Sequence, residues 1–152
     1  AVGMNRGQRL LWHGMLVFLL GLGTGLVSHE LTNPRMGLAA HLEGVMNGTF
    51  LLAVGAAWAR LRLSPRNESL AFHAALYGAY ANWLTTILAA VFGTAALTPL
   101  ASGASRGQPW QEVLVTAGFT SVALAMITAS VLLLVGFRPS SRPGRTGEQG
   151  KA

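Results

Sequence analysis

Four apolar stretches dominate this chain of 152 residues, and each is about as long as a bilayer is thick. They run Leu10–Val27, His41–Leu61, Leu70–Ala95 and Val113–Phe137, and a helix needs roughly 20 apolar residues to cross the hydrocarbon. Inside a bilayer every backbone amide must be paired, so an unbroken apolar run of this length is a helix. The breaks between them carry turn chemistry: Asn33-Pro34, then Ser64-Pro65-Arg66-Asn67, then a Gly/Ser-bearing link from Pro99 to Pro109. The expected fold class is therefore an all-α membrane protein, a four-transmembrane-helix bundle forming one domain over residues 1–138. Composition agrees, with 51% apolar residues and only 11% charged, far from the balance of soluble domains.

Charge sets orientation and excludes one class of partner. The net charge is +6, but the basic residues flank the apolar runs and form no aromatic-interleaved patch, which argues against nucleic-acid binding. Lys and Arg stay on the cytoplasmic side of a membrane. Arg6, Arg9, Arg60, Arg62, Arg66, Arg138, Arg142, Arg145 and Lys151 fall at the N terminus, the second link and the tail, against only Arg35 and Arg106 in the other links. Both termini are thus expected in the cytoplasm, with the lipid bilayer of a bacterial-type inner membrane as the setting. Arg6 and Arg9 precede an apolar run as in a signal peptide, yet no small-residue cleavage site follows, so that run reads as a retained span. The tail at 139–152, "PSSRPGRTGEQGKA", is Pro/Gly/Ser-rich and basic, which predicts disorder near anionic headgroups.

Several chemistries are closed off. Without cysteine there is no disulfide, thiolate ligand or Cys nucleophile, and without aspartate there is no Ser-His-Asp set. A zinc site would need three converging ligands from four dispersed histidines. An ion relay needs several intramembrane ionisable groups, and Glu43 is the only acid near the apolar body of a span.

The polar residues that do lie in the spans are the place to look for function. In "RMGLAAHLEGVMNGTFLL", Arg35 to Leu52, His41 and Glu43 open the second span, Asn47 follows, and Gly44 and Gly48 form a small-xxx-small pair. One reading is packing: close glycine contact, an amide bonded to a neighbouring helix, His41 and Glu43 in the wet interface. The other is a cofactor site, in which a neutral imidazole binds haem iron and an amide further along addresses a group held over the metal. Six residues are about 9 Å of rise and about 120° of turn, so His41 and Asn47 point in different directions. Glu43 lies four residues before Asn47 and shares its face. The third span, "FHAALYGAYANWLTT", offers a second polar wall with His73, Tyr77, Tyr80, Asn82, Trp83, Thr85 and Thr86. The fourth has only small residues and hydroxyls as polar content and reads as scaffold.

The block "NPRMGLAAHLEGVMNGTFLLAVG", with "WHGMLVFLLGLGTG" before it and "LYGAYANW" after it, resembles the hydroxylaminobenzene mutases over about Arg9 to Ala95. A more distant resemblance runs to the styrene oxide isomerases, which share the histidine, the asparagine six residues on, and an aromatic-Ala-Asn element in the third span. The resemblance implies an isomerase: the mutases convert a phenylhydroxylamine to a 2-aminophenol, and the isomerases an aryl epoxide to an aldehyde, neither with net redox change. The isomerases use ferric haem b as a Lewis acid in a trimer, which implies His41 on iron with Gly44 and Gly48 beside the cofactor, and a homotrimer. Asn47, Tyr80 and Asn82 are then the expected catalytic groups, and Tyr77, Trp83 and Thr86 the lining for a small aromatic substrate. The tyrosine that the isomerases place a turn beyond the Ala-Asn pair has Thr86 as its counterpart here, which favours the mutase reaction. Epoxide rearrangement is the alternative within the resemblance, and a helical carrier or structural bundle the alternative outside it.

Overall fold

A computed structural model describes residues 3–103 and 105–139. Among these residues there is no strand, and the long helices are α1 (Arg6–Val27), α2 (Pro34–Ala57), α3 (Pro65–Phe92) and α5 (Pro109–Gly136), with a single turn, α4 (Pro99–Ser102), in the third link. Four helices are long and apolar enough to cross a membrane. All but Pro139 of the tail expected to be disordered lies outside the described residues.

The starts follow from local chemistry. Asn5 accepts from Gln8 N while the Gln8 side chain accepts from Asn5 N, closing a reciprocal cap on α1. The Asn33 side chain accepts from Arg35 N and Met36 N, and Pro34, which has no N–H to satisfy, takes the first helical position. Ser64 and Pro65 repeat the device on α3. Gly93, at φ 65°, ends α3 with a left-handed residue whose N–H returns to Ala89 O. One expectation shifts: α2 begins at Pro34, so His41 sits about two turns inside the helix instead of opening it.

Packing is strongest between α1 and α2, and glycine makes it possible. Gly7, Gly14 and Gly21 recur every seven residues along α1 and meet Gly55, Gly48 and Gly44 of the antiparallel α2. A methyl group at Gly48 would stand 2.5 Å from Phe18 N and 2.7 Å from Gly14 O, and one at Gly44 would collide with the Gly21 backbone. Lipid supplies no hydrophobic drive between helices, so backbone contact of this kind carries the association. α2 then packs on α3, and α3 on α5. Among the described residues α5 meets no other long helix, so the four form an open row instead of a closed bundle. α5 can stand at the edge because its outer surface is apolar, with Leu124, Ile127 and Leu134 largely exposed, and such residues are at home in lipid or against another chain.

Candidate functional site

The acid in the second span is where two helices are tied together. Glu43 Oε2 accepts from Asn47 Nδ2 on its own helix at 3.1 Å and from Asn82 Nδ2 on α3 at 2.5 Å. Glu43 lies nine residues from the Pro34 end of α2 and Asn82 ten from the Phe92 end of α3, each about 14–15 Å along its helix. These two ends lie on the same side of the sheet of helices, so the cluster falls near the middle of a hydrocarbon layer of roughly 30 Å. An unpaired amide there would be costly, and Glu43 pairs the nitrogen of both.

Around this cluster α1 and α3 close in. Trp83 crosses beside Gly44, and its indole N–H donates to Thr24 Oγ1 on α1 at 3.1 Å, while Thr24 donates onward to Leu20 O. Tyr80 bonds His13 Nδ1 on α1 at 2.9 Å, with the rings edge to face. His13, Tyr80, Trp83 and Tyr77 line an apolar groove of about 460 Å³ together with Leu76 and Leu84. Tyr77 also exchanges a hydrogen bond of 2.7 Å with Ser121 of α5, which is the polar link between α5 and this wall.

His41 faces the other way. Its Nδ1 donates to Gly21 O on α1 at 2.9 Å, which fixes the tautomer and leaves Nε2 with its lone pair and no protein partner among the described residues. The ring lies against Gly25, where an added methyl would stand 2.7 Å from Nδ1. Beside it opens an apolar groove of about 650 Å³ lined by Leu19, Leu22, Gly23, Leu26 and Leu38. These features fit a haem: an imidazole oriented by a backbone carbonyl through its other nitrogen is the usual axial ligand arrangement, and an apolar slot suits a macrocycle. A bare ion fits less well, because no three His or Glu side chains converge among the described residues.

The structure thus brings Asn47, Asn82, Tyr80 and Trp83 to the contacts among α1, α2 and α3, and sets His41 on another face of α2. Gly44 and Gly48, expected beside the cofactor, lie in the α1–α2 contact. Thr86, expected in the substrate lining, is buried and donates to Asn82 O of its own helix at 2.8 Å. Asn47, expected among the catalytic groups, gives its amide nitrogen to Glu43. His73 is exposed and bonds Ser69 O within α3. Sequence reasoning had no sign of Gly21 O, Gly25, Thr24 or Ser121, because their roles exist only across helix pairs; the seven-residue glycine spacing on α1 was the available signal.

The family model described as "Styrene oxide isomerase" matches residues 6–138. The chain is 45% identical over 139 residues to hydroxylaminobenzene mutase HabB of Ectopseudomonas oleovorans, covering 91% of this chain and 84% of that one. It is 44% identical over 124 residues to hydroxylaminobenzene mutase HabA of the same organism, covering 81% and 92%. No solved structure matches the chain.

Proposed function

This chain belongs to the styrene oxide isomerase family, and we propose that it is a membrane-embedded mutase that rearranges hydroxylaminobenzene to 2-aminophenol, with ferric haem b held by His41. Relatives named as mutases and a family named for an isomerase make it an enzyme of the isomerase class. The observation that carries the choice of reaction is the identity of 44–45% to hydroxylaminobenzene mutases over most of the chain. Thr86 supports it. The hydroxyl at this position is buried and spent on Asn82 O, so it is no substitute for a phenol over an epoxide.

The rearrangement is balanced within the substrate. The hydroxyl leaves nitrogen and arrives on the ortho carbon, that carbon loses its proton, and nitrogen gains one. When bound, the haem supplies a Lewis acid for the departing oxygen. The chain's own residues supply the rest. His41 is oriented by Gly21 O, so its free nitrogen is presented in one direction. Asn47 and Asn82 are held by Glu43 at mid-membrane, where fixed dipoles act in a low-dielectric setting and need no reorganisation. The apolar wall of Tyr77, Tyr80 and Trp83 excludes bulk water that would otherwise attack the electron-poor ring.

The finer setting belongs to the same proposal. His41 and the amides occupy different faces of α2, so a single copy does not close one pocket around both; a homotrimer in which a neighbouring copy completes the site accommodates this. The charge distribution supports both termini in the cytoplasm of a bacterial-type inner membrane, with the site in the far half of the bilayer. The test is turnover by purified enzyme offered hydroxylaminobenzene and styrene oxide in parallel. We expect 2-aminophenol from the first and slow or no aldehyde from the second. Rapid styrene oxide rearrangement with no aminophenol would favour the epoxide reaction instead.

A further inference from the structure

Both amides at the centre of the site spend their nitrogen on the same carboxylate oxygen. Glu43 Oε2 takes Nδ2 of Asn47 and Nδ2 of Asn82, and a carboxylate oxygen accepts, so each amide must turn its NH2 inward. The carbonyl oxygens then point away from Glu43. Among the described residues neither Oδ1 has a hydrogen-bond partner, yet the only fully enclosed side-chain oxygen without one there is Thr94 Oγ1. The two carbonyl oxygens therefore reach open space while their residues are buried or half-buried.

We propose that Glu43 is a positioning residue that turns Asn47 and Asn82 carbonyl-outward, making the site a pair of hydrogen-bond acceptors for the N–H of an aryl hydroxylamine. The substrate class rests on the mutase reading above; the acceptor pair does not. As the N–O bond breaks, positive charge develops on nitrogen and its hydrogen becomes a stronger donor, so acceptors aimed at it stabilise the transition state more than the ground state. The same pair discriminates. An aryl epoxide has no N–H or O–H to offer, and a site built to hydrogen-bond a donor rejects the analogue lacking it because its own buried groups stay unpaired. This assigns substrate choice to Glu43 as well as to the absent phenol at Thr86.

The experiment uses the full-length holoenzyme in nanodiscs and two probes that differ by one donor, indole and 1-methylindole, neither of which offers a lone pair to a metal. Calorimetric titration of wild type should show indole bound about tenfold tighter than its methylated analogue. Glu43→Gln keeps an accepting oxygen and should keep the preference; Glu43→Leu frees both amides and should bring the two probes within about twofold. With hydroxylaminobenzene, Glu43→Leu should lower kcat more than it raises KM and let 4-aminophenol appear beside 2-aminophenol, whereas a merely structural role would lower the yield of folded enzyme and leave the product ratio alone. Should Glu43→Leu fail to fold, Asn82→Ala carries the same comparison with one acceptor removed. A folded Glu43→Leu or Asn82→Ala enzyme that keeps the wild-type indole preference and product ratio overturns the proposal. Wild type that prefers indole but makes no aminophenol upholds the acceptor pair and sinks the mutase reading; wild type that makes aminophenol with no indole preference does the reverse.

Discussion

At the scale of single residues, the imidazole of His41 is set apart from those of His13 and His73 by where it is anchored. Its Nδ1 is held by the backbone of another helix at Gly21 O, and its Nε2, without a partner among the described residues, lies beside an apolar groove, while His13 is engaged with Tyr80 and His73 bonds its own helix at the surface. Purified His41→Ala should lose the Soret band and its haem, and His73→Ala should keep both; an unchanged spectrum in His41→Ala removes that residue from the ligand role. Gly25 offers a finer probe. A methyl there would stand 2.7 Å from His41 Nδ1 and 3.1 Å from its Cε1, so Gly25→Ala should displace the ring and weaken haem retention without altering the fold. Equal haem content in Gly25→Ala and wild type would show that the ring tolerates the shift.

At the scale of elements, the α1–α2 pair is held by backbone contact, and its glycines divide into those that face the partner and those that do not. Gly48→Ala would place a methyl 2.5 Å from Phe18 N and 2.7 Å from Gly14 O, both backbone atoms that cannot step aside. We expect a loss of about 1–3 kcal/mol, the usual cost of overpacking, read as a lowered melting temperature in detergent. Gly23→Ala meets nothing within 4 Å and should melt like wild type. If the two variants melt alike, close packing at Gly48 is not what holds the pair. The helices themselves were legible because apolar length and Asn-Pro or Ser-Pro caps are local signals. α2 starts at Pro34 and carries His41 inside it, because Asn33 and Pro34 cap the helix upstream of the polar residues that open the apolar span. Glu43 was recognised as sharing a face with Asn47, since four residues along one helix is local geometry. Its bond to Asn82 was not legible, because nothing in either span alone says which faces meet. The same limit hid the position of α5, whose apolar surface gives no clue to its single neighbour.

At the scale of the whole molecule, the groove beside His41 and the outer side of α5 both lie open among the described residues. A neighbouring copy seated on them would enclose the proposed cofactor. Native mass spectrometry in detergent should therefore find haem in a trimer, and haem-loaded monomer alone would contradict that. Orientation is tested separately. Reporter fusions in the Pro99–Pro109 link should report the side away from the cytoplasm, and a cytoplasmic signal would invert the topology drawn from Arg and Lys placement. The proposed reaction would move oxygen from nitrogen to carbon inside a membrane-embedded site, shielded from solvent. The most direct measurement is to convert hydroxylaminobenzene in ¹⁸O-labelled water and weigh the products. We expect 2-aminophenol as the main product with its hydroxyl largely unlabelled; a hydroxyl carrying the solvent label, spread over 2- and 4-aminophenol, would contradict an enclosed intramolecular transfer.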